Sequence, residues 1–226
     1  AIGTGINAHK DFGKVFASEV SKLTKLNVKT SQNYFKSLSA QDSAAQLSSS
    51  VKNLSLVLTK ISNDLRWMNS GPLTGLGEIE LEALQPGSSI MPGKVNPTQC
   101  EALSMVCAQV IGNDVTVTLG GMQGHYELNV YKPVIVSNVL ESLTLISDSV
   151  ISFNDNCLVG IKANTKRIKE LLNNSLMLVT ALNSKIGYYK SAEIANIAHE
   201  NGITLKEAAL KTGYLSEKEF DKWVKP

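Results

Sequence analysis

The fold is decided by the stretch Leu47–Met68, LSSSVKNLSLVLTKISNDLRWM. Its apolar residues recur at alternating intervals of four and three positions: Leu47, Val51, Leu54, Leu58, Ile61, Leu65 and Met68. This heptad repeat is typical of a helix that packs nearly parallel to others in a bundle. We predict one long helix from Asn33 to Asn69, about 55 Å in length at 1.5 Å per residue. Such a helix needs long partners to bury its apolar stripe.

Apolar residues at helical spacing predict three more helices in this part of the chain, at 8–24, 97–117 and 129–154. After Gly160 the elements become short, and we predict helical segments at 165–174, 176–183, 189–201, 204–212 and 216–224. The last two begin with capping-box sequences, Thr204 with Glu207 and Ser216 with Glu219. We therefore expect an all-α protein with a central long-helix bundle domain at 1–162 and a small C-terminal helical domain at 163–226.

Composition and charge exclude several classes of function. A hydrophobic fraction of 43% and a charged fraction of 19% are those of an ordinary globular protein. The net charge of +2 and the scattered basic residues make nucleic acid or an acidic membrane a poor choice of partner. No run of about 18 uninterrupted apolar residues occurs, so no membrane span is expected. The three cysteines and three histidines lack metal-ligand spacing, so we expect no metal, no cofactor and reduced, buried thiols.

The segment 87–97, GSSIMPGKVNP, carries the chemistry of the chain. Ser88 and Ser89 are adjacent hydroxyls, and Lys94 adds a positive charge. Asn96-Pro97-Thr98-Gln99 looks like a helix start, with Asn96 as the cap, Pro97 first and Gln99 third. A helix N-terminus next to a lysine suits a carboxylate or phosphate, and the same field would favour a serine alkoxide. The alternative is a surface loop whose serine and asparagine merely cap a helix.

The run Gly87–Thr98 resembles the signature of the fumarase/aspartase superfamily, and the resemblance covers essentially the whole chain. Four stretches are similar to the fumarase branch: PTQCEAL at 97–103, GHYELNV at 124–130, SLMLVTALN at 175–183 and the end of the chain from Gly213 to Val224. The resemblance implies the C-terminal portion of a lyase that catalyses the reversible hydration of fumarate to (S)-malate. It also implies the superfamily's long-helix bundle.

The resemblance also assigns roles to individual residues. Ser88 matches the catalytic serine that takes the C3 proton of malate. The substrate-binding positions are Ser89, Lys94, Val95 and Asn96, with Lys94 stabilising the aci-carboxylate. Glu101 matches an acidic residue that orients a catalytic histidine.

That histidine falls upstream of Gly3 in the superfamily and has no counterpart here; His9, His125 and His199 match no catalytic position. We therefore expect this chain alone to be inactive. The chain also has Lys36 where the superfamily usually has glutamate.

The resemblance further implies a homotetramer with dihedral symmetry whose active sites are shared between subunits, in the cytoplasm or, in a eukaryote, the mitochondrial matrix. Two other hypotheses remain open at this point. One is a different superfamily lyase, such as an aspartase-like enzyme. The other is a non-catalytic helical assembly module in which the loop only starts a helix.

Overall fold

The structure is a computed structural model that describes residues 2–225. The long helices are α1 (Phe12–Thr24), α3 (Asp42–Met68), α4 (Thr98–Gly121) and α5 (Lys132–Phe153), with a short α2 (Tyr34–Ser39) and a π-helical turn at Asn154–Leu158. The later elements are α6 (Thr165–Asn173), a 3-10 helix (Leu176–Leu182), α7 (Asn183–Ile186), α8 (Tyr188–Asn201), α9 (Leu205–Thr212) and α10 (Glu217–Trp223). Two-residue strands lie at β1 (Ile79–Glu80) and β2 (Lys162–Ala163). The all-α fold class is confirmed.

The chain divides into two compact units. The first contains the chain up to Trp67 together with Leu81–Ile161, and the second contains Met68–Glu80 and the chain from Lys162 onward. The segment 68–80, assigned above to the first domain, thus packs with the later residues. Antiparallel pairing of Ile79 with Ala163 joins the two segments of the second unit.

The predicted long helix is wrong at its start, because the chain breaks between α2 and α3. Ala40 adopts an extended conformation, with φ −102° and ψ 144°. The Leu38 carbonyl accepts hydrogen bonds from the Asn129 backbone N–H at 3.0 Å and from Lys132 Nζ at 3.2 Å. These bonds replace the helical hydrogen bond that a continuous helix would form there.

The buried face of α3 includes Val51 and Leu65 of the predicted stripe, but elsewhere it is offset from that stripe by one position. Its buried residues are Ser48, Val51, Ser55, Ser62 and Leu65, which also follow a heptad spacing. Leu47, Leu54 and Ile61 of the predicted stripe are 44%, 45% and 40% exposed. On this face Ser48 and Ser62 donate to the Asp114 carboxylate and to the Cys100 carbonyl of α4. The exposed leucine stripe, Leu47, Leu54 and Ile61, remains available for contacts outside this chain.

A buried polar cluster links α3 to α4. Asp114 is 3% exposed, and its two carboxylate oxygens accept from Ser48 Oγ at 2.8 Å and Lys52 Nζ at 2.6 Å. Each charge therefore has a partner, as burial requires. A different register between α3 and α4 would leave the Asp114 charge buried without its partners, so this cluster favours one register.

α4 extends to Gly121, beyond the predicted end at 117, and α5 begins at Lys132 rather than 129. Asn129 is 1% exposed and fastens the glycine-rich link between them. Its Nδ2 donates to the carbonyls of Gly120 and Gln123, both at 3.0 Å. Together with the bond from the Asn129 backbone N–H to the Leu38 carbonyl, these bonds hold Asn129 in the link, and α5 begins at Lys132.

Two helical segments, Thr98–Gly121 and Lys132–Leu158, are long and apolar enough to cross a membrane by length and composition alone. Core helices of soluble proteins pass the same test. In this chain only 33% and 22% of their apolar windows are buried. Most residues of these two windows are therefore not fully buried in the single chain.

α1 begins at Phe12, not at residue 8, and its predicted apolar face is open. Phe12, Phe16 and Leu23 are 62%, 60% and 83% exposed. In the second unit, by contrast, the helices enclose a compact core around Leu182, Ile194 and Leu205. Both predicted capping boxes are present there, at Thr204 and at Ser216.

Candidate active site

The segment 87–97 forms a loop whose two ends are bonded together. The Gly87 N–H donates to the Lys94 carbonyl at 2.7 Å, and the Lys94 N–H donates to the Met91 carbonyl at 3.2 Å. A Cβ at Gly87 would lie 2.7 Å from the Lys94 oxygen, closer than real Cβ contacts allow. Glycine is required here so that the two ends can meet, and their meeting brings Ser88 towards the run Lys94–Asn96.

Ser88 has its side-chain oxygen under two backbone N–H groups. Oγ accepts from Ile90 N at 3.2 Å and from Met91 N at 3.3 Å. The hydroxyl is half-buried, whereas Ser89 is exposed. Bonds from the residues two and three positions further on are those of a serine turn, and the same two N–H groups are placed to stabilise negative charge on that oxygen. The sequence indicated the serine but not these donors.

Lys94 supplies a positive charge that the rest of the unit does not neutralise. Its side chain is exposed, and within residues 2–225 it forms no ion pair. Val95 beside it is 48% exposed. An unpaired ammonium on a solvent-facing loop is available to an anionic ligand.

The prediction that Asn96 caps α4 is wrong. Pro97 occupies the cap position, with φ −78° and ψ 65° and no side-chain capping bond. The Asn96 side chain turns the other way, and its Nδ2 donates to the Gly87 carbonyl at 3.1 Å. Asn96 therefore closes the loop instead of starting the helix. Gln99, predicted for the third position of a cap, instead accepts from Ser152 Oγ at 2.9 Å.

Glu101 lies in the first turn of α4, next to the loop, and is paired with an arginine. Arg66 Nη2 is 3.6 Å from Glu101 Oε1, and the two side chains are 40% and 37% exposed. The bonds and ion pairs of Glu101 and of the loop residues described above involve no histidine. Within residues 2–225, Arg66 is the charged group paired with Glu101.

The first turn of α4 is anchored by contacts that the sequence analysis did not find. Ser62, fully buried on α3, donates to the Cys100 carbonyl at 2.6 Å. Ser152 on α5 holds Gln99. The only sequence signal for Ser62 is its heptad spacing from Ser48 and Ser55, which a search for apolar stripes passes over. The loop therefore leads into a helix start that is fixed from two sides.

The three cysteines are free and buried, as expected. Cys100 Sγ and Cys157 Sγ are 3.9 Å apart. Burial raises the pKa of the Cys157 thiol to about 12 and also raises the pKa of Cys100. Thiols in this state are poor nucleophiles. Within residues 2–225 no group of three or more His, Cys, Asp or Glu side chains is placed to hold a metal ion.

Comparison with known proteins identifies the class of protein to which this chain belongs. Residues 1–112 match the family profile described as "Lyase", and residues 178–226 match the profile "Fumarase C C-terminus". The fumarate hydratase class II of Methylorubrum extorquens is 55% identical over all of this chain. So is the mitochondrial fumarate hydratase of Homo sapiens. The chain covers 48% and 44% of these two proteins, and so spans about half their length.

Solved structures agree with the sequence matches. The recombinant class II fumarase from Schistosoma mansoni superposes with a TM-score of 0.91 at 40% identity, over 100% of this chain and 50% of that one. The chain belongs to the class II fumarase family, within the lyases, and matches its C-terminal portion.

Proposed function

We propose that this chain supplies the serine loop of a fumarate hydratase, which reversibly hydrates fumarate to (S)-malate. The observation that carries the proposal is the pair of backbone N–H groups, of Ile90 and Met91, that converge on Ser88 Oγ at 3.2 and 3.3 Å. The relatives that match the whole chain are named fumarate hydratases, which supports this reaction over another lyase reaction.

In the dehydration direction, Ser88 as an alkoxide accepts the C3 proton of malate. A serine alkoxide is unstable in water, and the two N–H donors lower its free energy without having to reorganise. Removal of the C3 proton leaves negative charge on the neighbouring carboxylate as an aci-carboxylate. That carboxylate is bound by Lys94 and Asn96, which lie in the part of the loop that bonds to Gly87. Ser89 and Val95 contact the substrate. C–O cleavage at C2, with a proton delivered to the leaving hydroxyl by an acid in the half of the site that this chain does not span, then releases water and fumarate.

Glu101 acts one step away from the substrate by orienting a histidine that belongs outside this chain. Because the chain spans about half the length of the relatives it matches, the remaining groups of the site come from the rest of the fold. We expect the purified 226-residue chain to turn over no fumarate.

We propose a homotetramer that shares its active sites between subunits, with a small dicarboxylate as the ligand. The exposed stripe of Leu47, Leu54 and Ile61 on α3 supports helix packing between copies. The relatives include bacterial class II enzymes and mitochondrial enzymes, so we propose the cytoplasm or the mitochondrial matrix as the compartment.

The test is Ser88→Ala in the complete enzyme, in which this chain is joined to the half of the fold that it does not span. We expect kcat for fumarate hydration, followed by absorbance, to fall by at least about a hundredfold, since general-base catalysis typically contributes that much. Ser50→Ala, which removes an exposed α3 hydroxyl bonded only to the Gln46 carbonyl, is the control and should leave kcat unchanged.

Two other outcomes would assign the chain to the alternative hypotheses. Turnover of aspartate or argininosuccinate in place of malate would identify a different lyase of the superfamily. Fumarate hydration that is indifferent to Ser88→Ala, or absent from a folded complete protein, would favour an assembly module whose loop only begins a helix.

A further inference from the structure

The Arg66–Glu101 ion pair joins the end of α3 to the first turn of α4. Arg66 Nη2 lies 3.6 Å from Glu101 Oε1. Within the described residues 2–225, Arg66 is the only charged partner of Glu101, and Glu101 is the only charged partner of Arg66. The pair is half-exposed, so its Coulomb energy alone contributes little to stability. Glu101 lies four residues after Pro97 and the loop, so the pair is placed to affect the geometry of the candidate site.

The backbone on either side of the pair is rigidly held. Four residues before Arg66, Ser62 donates to the Cys100 carbonyl at 2.6 Å from a fully buried position. Leu65, adjacent to Arg66, is buried as well. Arg66 therefore projects from a fixed helix turn onto a carboxylate whose own backbone is also fixed. A planar guanidinium on a fixed stem restrains a carboxylate more tightly than a flexible lysine does.

We propose that Arg66 is a positioning residue for the hydration reaction: it holds the Glu101 carboxylate through Oε1 so that Oε2 faces the histidine supplied from outside this chain. This inference rests on the proposed function. Around metal-bound histidines, loss of an outer hydrogen-bonding partner typically lowers activity 10- to 100-fold, and we take that range as the guide for a group that holds Glu101. Arg66 also offsets part of the negative field that Glu101 exerts on that histidine.

The experiment uses the complete enzyme with Arg66→Met, which keeps much of the stem and removes the charge. We expect kcat to fall about tenfold with KM changed less than about twofold, because no substrate contact is lost. The acid limb of the pH profile of kcat/KM should move to higher pH, since the uncompensated Glu101 charge favours the protonated histidine. Arg66→Lys should restore part of kcat and return the limb towards its original position.

Two comparisons separate positioning from a structural role. Lys60→Met removes the cation of the Lys60–Asp64 pair on the same helix and should leave kcat, KM and the pH profile unchanged. In a Glu101→Gln background, Arg66→Met should cause little further loss, because both residues act through one carboxylate.

The inference would be overturned if Arg66→Met had no more effect than Lys60→Met, or if the losses of kcat at Arg66 and Glu101 multiplied in the double variant. The proposed function would stand in either case, provided that the wild type is active. A folded wild type that hydrates no fumarate would overturn both.

Discussion

Asn96 illustrates, at the scale of single residues, how backbone geometry decides what a side chain does. Its place before a proline and a helix predicts a cap, but the amide donates to the Gly87 carbonyl at 3.1 Å. Pro97 takes the cap position with a non-helical ψ of 65°, so the Asn96 side chain does not cap the first turn. The sequence shows which residue types occur and at what spacing. It does not show the direction of the Asn96 side chain, which depends on the backbone dihedral angles of the next residue, Pro97.

We expect Asn96→Ala to loosen the loop without unfolding the chain. The substitution leaves the Gly87 carbonyl without its amide donor, a loss worth about 1 kcal/mol. Hydrogen exchange measured by mass spectrometry should then show faster exchange in peptides covering 87–97 and no change in α4 or α5. Asn63→Ala, at an exposed α3 position, is the control. Unchanged exchange in the loop would mean that the Gly87–Lys94 bond alone keeps it closed.

The buried thiols give a second prediction at this scale. A pKa of about 12 for Cys157 leaves on the order of one thiol in ten thousand ionised at pH 8. Burial also raises the pKa of Cys100. Iodoacetamide should therefore label neither residue in the folded chain and should label both after denaturation, as read by peptide mass. Rapid labelling of Cys100 or Cys157 in the native chain would contradict the packing of α4 against the π-helical turn.

At the scale of elements, α3 shows which features a sequence pattern can predict. The heptad period correctly predicted a bundle helix ending near Met68, because periodicity follows from helix geometry. It identified only part of the buried face, Val51 and Leu65. The serines at 48, 55 and 62 pack inside the unit while the leucine stripe is exposed. An apolar pattern marks surfaces that will be buried somewhere, and in an assembled protein that place can be another subunit.

Ser55→Leu tests this assignment of the two faces. Ser55 is fully buried and donates to the Val51 carbonyl, so a leucine there would overpack the core and lower the free energy of unfolding by roughly 1–3 kcal/mol. Asn53→Leu, at an exposed α3 position away from Leu47, Leu54 and Ile61, should change it by less than about 0.5 kcal/mol. Urea unfolding followed by circular dichroism compares the two variants. Equal losses in the free energy of unfolding would contradict the assignment of the Ser55 face as the buried one.

The capping boxes of α9 and α10 make the second unit sensitive to acid. Bonds from the backbone and hydroxyl of Thr204 lower the pKa of Glu207 below its ordinary 4.5, and Ser216 does the same for Glu219. A carboxyl whose pKa is lower in the folded than in the unfolded chain stabilises the fold at pH values above its unfolded pKa. That stabilisation is lost as the pH falls through the folded pKa. The melting temperature should therefore drop as pH falls below about 4.5.

Glu207→Gln keeps a side chain of the same shape but removes the titration. Its melting temperature should be lower than that of the wild type at pH 7 and should depend less on pH in the acid range. A variant with the wild-type pH dependence would show that the box at Thr204 contributes no pH-dependent stability.

At the scale of the whole molecule, exposed apolar surface indicates an assembly. Leu47, Leu54 and Ile61 on α3 are exposed, and most residues in the apolar windows of α4 and α5 are not fully buried in the single chain. We expect the complete enzyme to be a tetramer by size exclusion with light scattering. Leu54→Ser should shift it towards smaller species while Leu56→Ser, at an exposed position outside the stripe, should not. A stable, well-folded monomer would contradict the proposed assembly.

The proposed role of this chain is to provide one side of a fumarate hydratase site, with Ser88 as its base. It is tested most directly by co-expressing the chain with a separate polypeptide that matches the other half of a class II relative, and by following fumarate absorbance. We predict no turnover by either part alone, turnover by the purified complex, and loss of that turnover with Ser88→Ala in this chain. Turnover by the chain alone, or by a complex carrying Ser88→Ala at the wild-type rate, would contradict the claim.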